Sequence, residues 1–218
     1  MTRLFLIAFL VFSLSACAVK RIPPEFAPTE RLLSMRAPAD ARMEMVQNDT
    51  EAGDVFLRTK SLPARPGDPV VAHLINRMLA TLKDEGGVGI AAPQVGVNRR
   101  VVLVKRLDRE PDQPLEAYLN PGITEFSEET VVDWEGCLSI PAGFGKVRRA
   151  ESIMVNYDTP AGEHKTEKVS GFTARIFQHE IDHLDGVLFI DRKEPGELVP
   201  EKEYREMRRK EKEQQEKK

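Results

Sequence analysis

Gln178-His179-Glu180-Ile181-Asp182-His183 puts two imidazoles and a carboxylate side by side. On a helix His179 and His183 stand one turn apart on the same face, where both can bind one divalent ion, with Glu180 beside the water such an ion activates. That is the outline of a hydrolytic site. Two histidines leave a catalytic ion one protein ligand short of the usual three, the fourth position being kept for water. Cys137 is the strong candidate for the third. It stands in Glu135-Gly136-Cys137-Leu138-Ser139-Ile140-Pro141, directly after a strand-like run ending at Trp134, where Gly136 permits a tight backbone path. A lone cysteine is more commonly a small buried apolar group. Here the flanking glycine and proline, and a histidine pair in need of a partner, favour the ligand.

A second loop, Gly86-Gly87-Val88-Gly89-Ile90-Ala91-Ala92-Pro93-Gln94-Val95-Gly96, is rich enough in glycine to let backbone approach a ligand closely. Its spacing fails both GxGxxG and GxxxxGK[ST], and Pro93 would interrupt a phosphate-binding helix, so it is not a nucleotide loop. Gln94 has two readings: an amide donor to a developing oxyanion, or the cap of a turn.

These groups need rigid supports. Phe172, Ile176, Ile181 and Leu184 recur at near-helical spacing around the histidines, and Gly186 is a plausible helix stop. Asp68-Pro69 reads as N-cap and first helical residue of a second helix, its apolar face running from Val70 to Leu82 before Gly86 ends it. His73 on that helix reads as a surface residue. Beyond the glycines the period shortens. Val101 to Val104, Glu116 to Leu119, Ile123 to Phe126, Thr130 to Trp134, Lys146 to Val147, Ile153 to Tyr157 and Lys165 to Val169 read as short strands. Turn formers such as Asn120-Pro121-Gly122 and Asp158-Thr159-Pro160-Ala161-Gly162 separate them, and His164 after the latter reads as exposed. Helix, many strands, then the histidine helix predicts an α+β fold with mostly antiparallel sheets. Val187 to Ile190 reads as buried.

The ends of the chain differ from its middle. Arg3 followed by the apolar run Leu4 to Leu14 and then Leu14-Ser15-Ala16-Cys17 looks like a bacterial lipoprotein signal, residues 1–17, with Cys17 lipidated and holding the protein on a membrane without spanning it. The alternative is a misassigned start, translation beginning at Met35, Met43 or Met45, and a cytoplasmic protein. Proline-rich residues 18–42 read as a tether, 43–192 as the catalytic domain, and 193–218 as a charged tail, partly helical and stitched by Glu/Lys and Glu/Arg pairs. Acidic residues alternate with Arg208, Arg209 and Lys210, which favours solvent over RNA or membrane as their partner. The net charge of −3 over 218 residues, with both signs interspersed, sets nucleic acid aside. With Cys17 lipidated, Cys137 is a free thiol; a disulfide between them would consume the ligand.

In order and spacing, Gly87-Val88-Gly89-Ile90-Ala91-Ala92-Pro93-Gln94, Glu135-Gly136-Cys137-Leu138-Ser139 and the histidine motif resemble the three signature motifs of peptide deformylases. The resemblance covers roughly Met43 to Arg192. It implies mostly antiparallel sheets around a central metal-binding HExxH helix and removal of the formyl group from N-formylmethionyl peptides, with Cys137, His179 and His183 as metal ligands and Glu180 as acid and base; separately, the chain is expected to be a monomer. It further implies an oxyanion site made by Gln94 and the backbone amide of Leu138, and a peptide groove along Gly89. Val88, Phe172, Ile176 and Phe144 are then expected around the methionine side chain, with Arg175 only snorkelling and Glu135 pairing with Arg149 behind Cys137. The family implies Fe(II), whereas the donor set alone suits Zn(II), Ni(II) or Co(II) as well. A zinc protease and a lipoprotein that only binds formyl-peptides are the competing readings.

Overall fold

The structure is a computed structural model and describes residues 24–215. The lipoprotein signal with Cys17, and the first part of the expected tether, lie outside these residues. Two sheets and one central helix make up the body. Strands β1 (Gly89–Ala91), β2 (Val101–Lys105), β3 (Leu115–Phe126), β6 (Ser152–Asp158) and β7 (His164–Ser170) form one sheet in the order β1-β2-β3-β6-β7, every pairing antiparallel. Strands β4 (Thr130–Cys137) and β5 (Ile140–Ala150) form a separate antiparallel ribbon. Helix α4 (Gly171–Leu184) carries the histidines and packs against β1, β2 and β7 of the larger sheet and β5 of the ribbon. The fold is therefore α+β with antiparallel sheets, as its pattern predicts.

The second predicted helix is α3 (Pro69–Glu85), its N-terminus capped by the Asp68 carboxylate accepting from Val70 N at 2.8 Å and its end marked by Gly86 at φ 73°. Its buried stripe, Val71, Leu74, Ile75, Met78 and Leu82, meets Ile90, Leu103 and Leu119 in one core. Ala174, Phe177, Ile181 and Leu184 on α4 fill a second core against Val102, Tyr118 and Val155. The sheet thus buries both faces, one against each helix. This fixes the height of α4 over the strands.

Several expectations need correction. Asn120-Pro121-Gly122 does not separate two strands: Leu115–Phe126 is one strand with an irregular register between Leu119 and Gly122, Asn120 taking φ 51°. The Asn120 side chain is instead tied to the Ala64 backbone, accepting from its N at 2.8 Å and donating to its O at 2.9 Å. Residues 18–42 are not a tether throughout. Pro28 occupies the first turn of α1 (Pro28–Met35), which packs on α3, while Arg77 donates to the carbonyls of Leu33, Ser34, Ala41 and Arg42. Pro28 pre-sets helical φ there, so a proline read as linker begins an element. His73 is half-buried rather than on the surface, its Nε2 2.9 Å from Ala37 O. His164 is exposed, as read, beside Asp158. A short helix α2 (Glu51–Leu57), capped by Thr50, went unpredicted.

The segment after α4 also holds more structure than its composition suggests. Leu188 and Phe189 are buried, Phe189 opening the short helix α5 (Phe189–Arg192). Residues 193–200 then run along β5, with bridges Val147 to Lys193 and Phe144 to Val199. Helix α6 (Glu201–Gln215) follows, carrying the expected pairs Glu201–Arg205, Arg208–Glu211 and Arg209–Glu213. No helix among the described residues is long and apolar enough to cross a membrane.

Candidate active site

The ribbon and α4 bring the three predicted ligands together. Cys137 ends β4, where the ribbon turns, and its Sγ lies 3.2 Å from His183 Nε2. One ligand atom each from Cys137, His179 and His183 fall within 4.8 Å of one another, close enough to share one ion. The Cys137 thiol is free. A thiolate and two imidazoles are the donors that divalent first-row ions take. Two buried atoms beside them, Glu180 Oε2 and His183 Nδ1, have no hydrogen-bond partner among the described residues. Among the described residues Glu180 Oε2 is thus a buried acceptor still to be filled.

A buried electrostatic lattice holds these ligands. Arg149 donates twice to Glu135, Nε to Oε1 and Nη2 to Oε2, both at 2.9 Å. Its remaining donor reaches Asp182, which Arg192 grips from the other side at 2.6 and 2.7 Å. Glu135 Oε2 in turn lies 3.0 Å from His179 Nδ1, which orients that ring so that its other nitrogen faces Cys137 and His183. The pairing of Glu135 with Arg149 matches the expectation. Arg175 does not: rather than snorkelling it is buried, donating to Glu135 Oε1 at 2.7 Å and to the carbonyls of Val147 and Val131. It precedes His179 by one helical turn, so it shares the ligand face, and that spacing was the available clue. Burial alone would raise the Glu135 pKa, yet hydrogen bonds from Arg149 and His179 hold it well below the usual carboxylate range.

Gln178 provides the mechanical link between helix and ribbon. Its Nε2 donates to Ala150 O at 2.9 Å and its Oε1 accepts from Ala150 N at 3.0 Å, so one side chain occupies both groups of a backbone unit on β5. The glycine-rich stretch read as a loop forms strand β1 and a 3₁₀ turn over Ala92–Val95. Gln94 caps the turn, its Oε1 accepting from Ala91 N at 2.8 Å, while its Nε2 points to Cys137 Sγ at 3.4 Å. Leu138 follows Cys137 in the ribbon's turn and lines the same cavity.

Glu180 titrates unusually. Burial pushes its carboxyl up to about 7, Glu135 adding to the shift and His179 opposing it. His183 is lowered well below its ordinary value by burial and by the charge of His179. A cavity of about 540 Å³ opens over these groups, lined by Val88, Gly89, Phe172, Ile176 and Phe144 among others. Every residue expected to touch substrate therefore faces one space. Phe172 and Val88 stand on its exposed rim, and Ile176 is buried at its wall. Tyr204, Glu201 and Arg205 of α6, in the stretch read as a charged tail, also line it.

The family model for polypeptide deformylase matches residues 46–198. This chain belongs to the peptide deformylase family. Peptide deformylase 2 of Gloeobacter violaceus is 43% identical over 142 residues, which are 65% of this chain and 76% of that protein. The peptide deformylase of Thermotoga maritima is 41% identical over 147 residues, 67% of this chain and 87% of its own. Among solved structures, a class I type b peptide deformylase from Acinetobacter baumannii with Met-Ala-Ser bound superposes with a TM-score of 0.63 at 37% identity, covering 70% of this chain and 99% of that one. The Thermotoga maritima enzyme superposes with a TM-score of 0.64 at 38% identity, covering 71% and 99%. The reaction is removal of the formyl group from formylated peptides, and a deformylase uses a divalent metal.

Proposed function

We propose that Cys137, His179 and His183 hold the divalent ion of this deformylase and that Glu180 is its acid and base. The observation carrying this reading is the convergence of three ligand atoms within 4.8 Å beside a buried carboxylate oxygen without a partner. When bound, the ion supplies Lewis acidity, drawing the pKa of water toward neutrality and polarising the formyl carbonyl. The chain does the rest. Glu180, with its carboxyl raised to about 7, accepts a proton from the attacking water and passes it to the departing amine, so formate leaves and a free N-terminus remains. Gln94 Nε2 and the Leu138 amide donate to the oxygen on which charge develops. Val88, Phe172, Ile176 and Phe144 receive the methionine side chain while the backbone at Gly89 runs beside the peptide.

Ferrous iron is the ion we assign, on the family resemblance; the same donors accept zinc, nickel or cobalt. The test is formate release from formyl-Met-Ala-Ser, run with an unformylated control, with metal analysis of anaerobically purified protein and with Glu180→Ala. The wild type must release formate, and the variant must lose about 10³-fold in turnover while keeping its ion. Cleavage of an internal bond, or tight binding without formate, overturns the proposal.

We also propose, on the leader alone, that the mature protein is anchored outside the cytoplasm by lipidated Cys17 and acts there on released formyl-peptides. An intact mass of the native protein decides this. An unlipidated N-terminus near Met43 would return the enzyme to the cytoplasm and its substrates to nascent chains.

A further inference from the structure

Helix α6 begins at Glu201, beyond the region that the family model matches, yet it reaches the substrate cavity. Its placement is anchored. Phe144 N donates to Val199 O and Val199 N to Phe144 O, both at 2.8 Å, and the Cβ of any residue other than glycine at Gly143 would collide with the Val199 carbonyl. The first turn of α6 starts on this bridge, Tyr204 N donating to Pro200 O at 2.9 Å. Tyr204 then stacks on Phe144, ring centroids 4.0 Å apart and planes 10° from parallel, with Trp134 tilted against it at 5.6 Å. The Phe144 ring lies so close over Gly136 that no Cβ fits there, and Gly136 adjoins Cys137. Three half-buried rings therefore form a continuous shelf that starts one residue from the metal site and leads outward along the cavity.

We propose that this aromatic shelf, completed by Tyr204, is a specificity element that takes an aromatic or large apolar side chain from the peptide residues following formylmethionine. It rests on the deformylase reading and deepens it. The charged neighbours do not suit a charged side chain: Arg205 and Glu201 neutralise each other through an ion pair in which Arg205 Nε donates to Glu201 Oε1 at 2.9 Å. Beside these charges Trp134, Phe144 and Tyr204 line the cavity, with Lys146 Nζ 5.4 Å over the Trp134 ring, and an aromatic or aliphatic side chain is the complement of such rings. An extended peptide advances about 3.3 Å per residue, so the shelf lies within reach of the residues immediately after the methionine. Tyr204 is a specificity-determining residue, since it faces parts of the substrate that do not react.

The experiment compares kcat/KM of the metal-loaded full chain on formyl-Met-Ala-Ser, formyl-Met-Phe-Ser and formyl-Met-Ala-Phe. The measured quantity is the preference for the better aromatic peptide over formyl-Met-Ala-Ser. Wild type should show a preference of at least about five-fold, carried by KM rather than kcat, as expected when binding energy away from the reacting bond is lost uniformly. Tyr204→Ala should reduce it to near unity, and Tyr204→Phe, which keeps the stack, should restore it. A preference unchanged in Tyr204→Ala overturns the proposal, even where all three peptides lose rate equally, as does a wild type with no preference. Formate release by the wild type from formyl-Met-Ala-Ser reports on the deformylase reading separately.

Discussion

Gly89 and Glu180 are in such close apposition that the glycine has no room for a methyl group: a Cβ there would overlap Glu180 Oε1 and come within 2.8 Å of Ile176 Cγ2. Gly89→Ala should therefore displace the carboxylate from the reacting water, and an error of about 1 Å in such a group costs on the order of 10²-fold in rate. Formate release should fall by that factor with KM little changed. Thermal melting within a few degrees of wild type would show that the loss is local.

Glu135→Gln tests the lattice behind the ligands. The substitution keeps shape but leaves Arg149 and Arg175 buried with less than their charge compensated, and takes from His179 the acceptor that orients it. We expect a loss on the order of 3 kcal/mol in unfolding free energy, read from urea melts, because a buried pair has been broken on one side. Ion affinity, titrated by competition with a chromophoric chelator, should weaken about 10- to 100-fold.

Gln94→Ala removes a donor aimed at the Cys137 sulfur. By comparison with other oxyanion donors the barrier should rise by about 3 kcal/mol, seen as a fall of roughly 10²-fold in kcat. The variant should retain its ion, since the three ligands are untouched.

At the far end of the sheet, Arg106 is gripped by Asp108 and Glu167, with Tyr118 as a further partner. Both carboxyls titrate below their ordinary values: for Asp108 the Arg106 hydrogen bond leads, and for Glu167 burial opposes the shift but Arg106 overcomes it. Their contribution to stability is thus complete above the unfolded carboxyl values, near pH 4, and is lost as pH falls through the lower folded values. Arg106→Met removes the partner, so the variant should be less stable than wild type near pH 7 and the gap should narrow as pH falls below about 4, flattening the acid limb. Urea melts of wild type and variant between pH 3 and pH 7 measure the narrowing.

The convergence of Cys137, His179 and His183 was readable because its signals are local. His179 and His183 declare themselves by helical spacing, Asp68-Pro69 and Gly86 by cap chemistry, and Cys137 by its company. What escaped reading depends on partners distant in the chain. Arg175 looked like a residue meant for solvent because the carboxylate that accommodates it, Glu135, arrives from another element. Tyr204 sits in a run of charges whose composition speaks for water, and only the bridge from Val199 to Phe144 turns it toward the cavity. Likewise α1 is short and proline-led, and Arg77 on α3, 44 positions from Leu33, secures it. In β3, a turn signature at Asn120-Pro121-Gly122 was overridden because the strands on either side hold the chain extended.

The amide of Gln178 serves Ala150 as a neighbouring strand would, so α4 is registered to the ribbon by a hydrogen-bonded coupling that allows neither sliding nor rotation. Cys137 and His183, 46 positions apart, are consequently held at binding distance by protein alone. A nest preorganised in this way would demand little rearrangement of the chain on taking up an ion, so its bite would be dictated by the fold before anything enters.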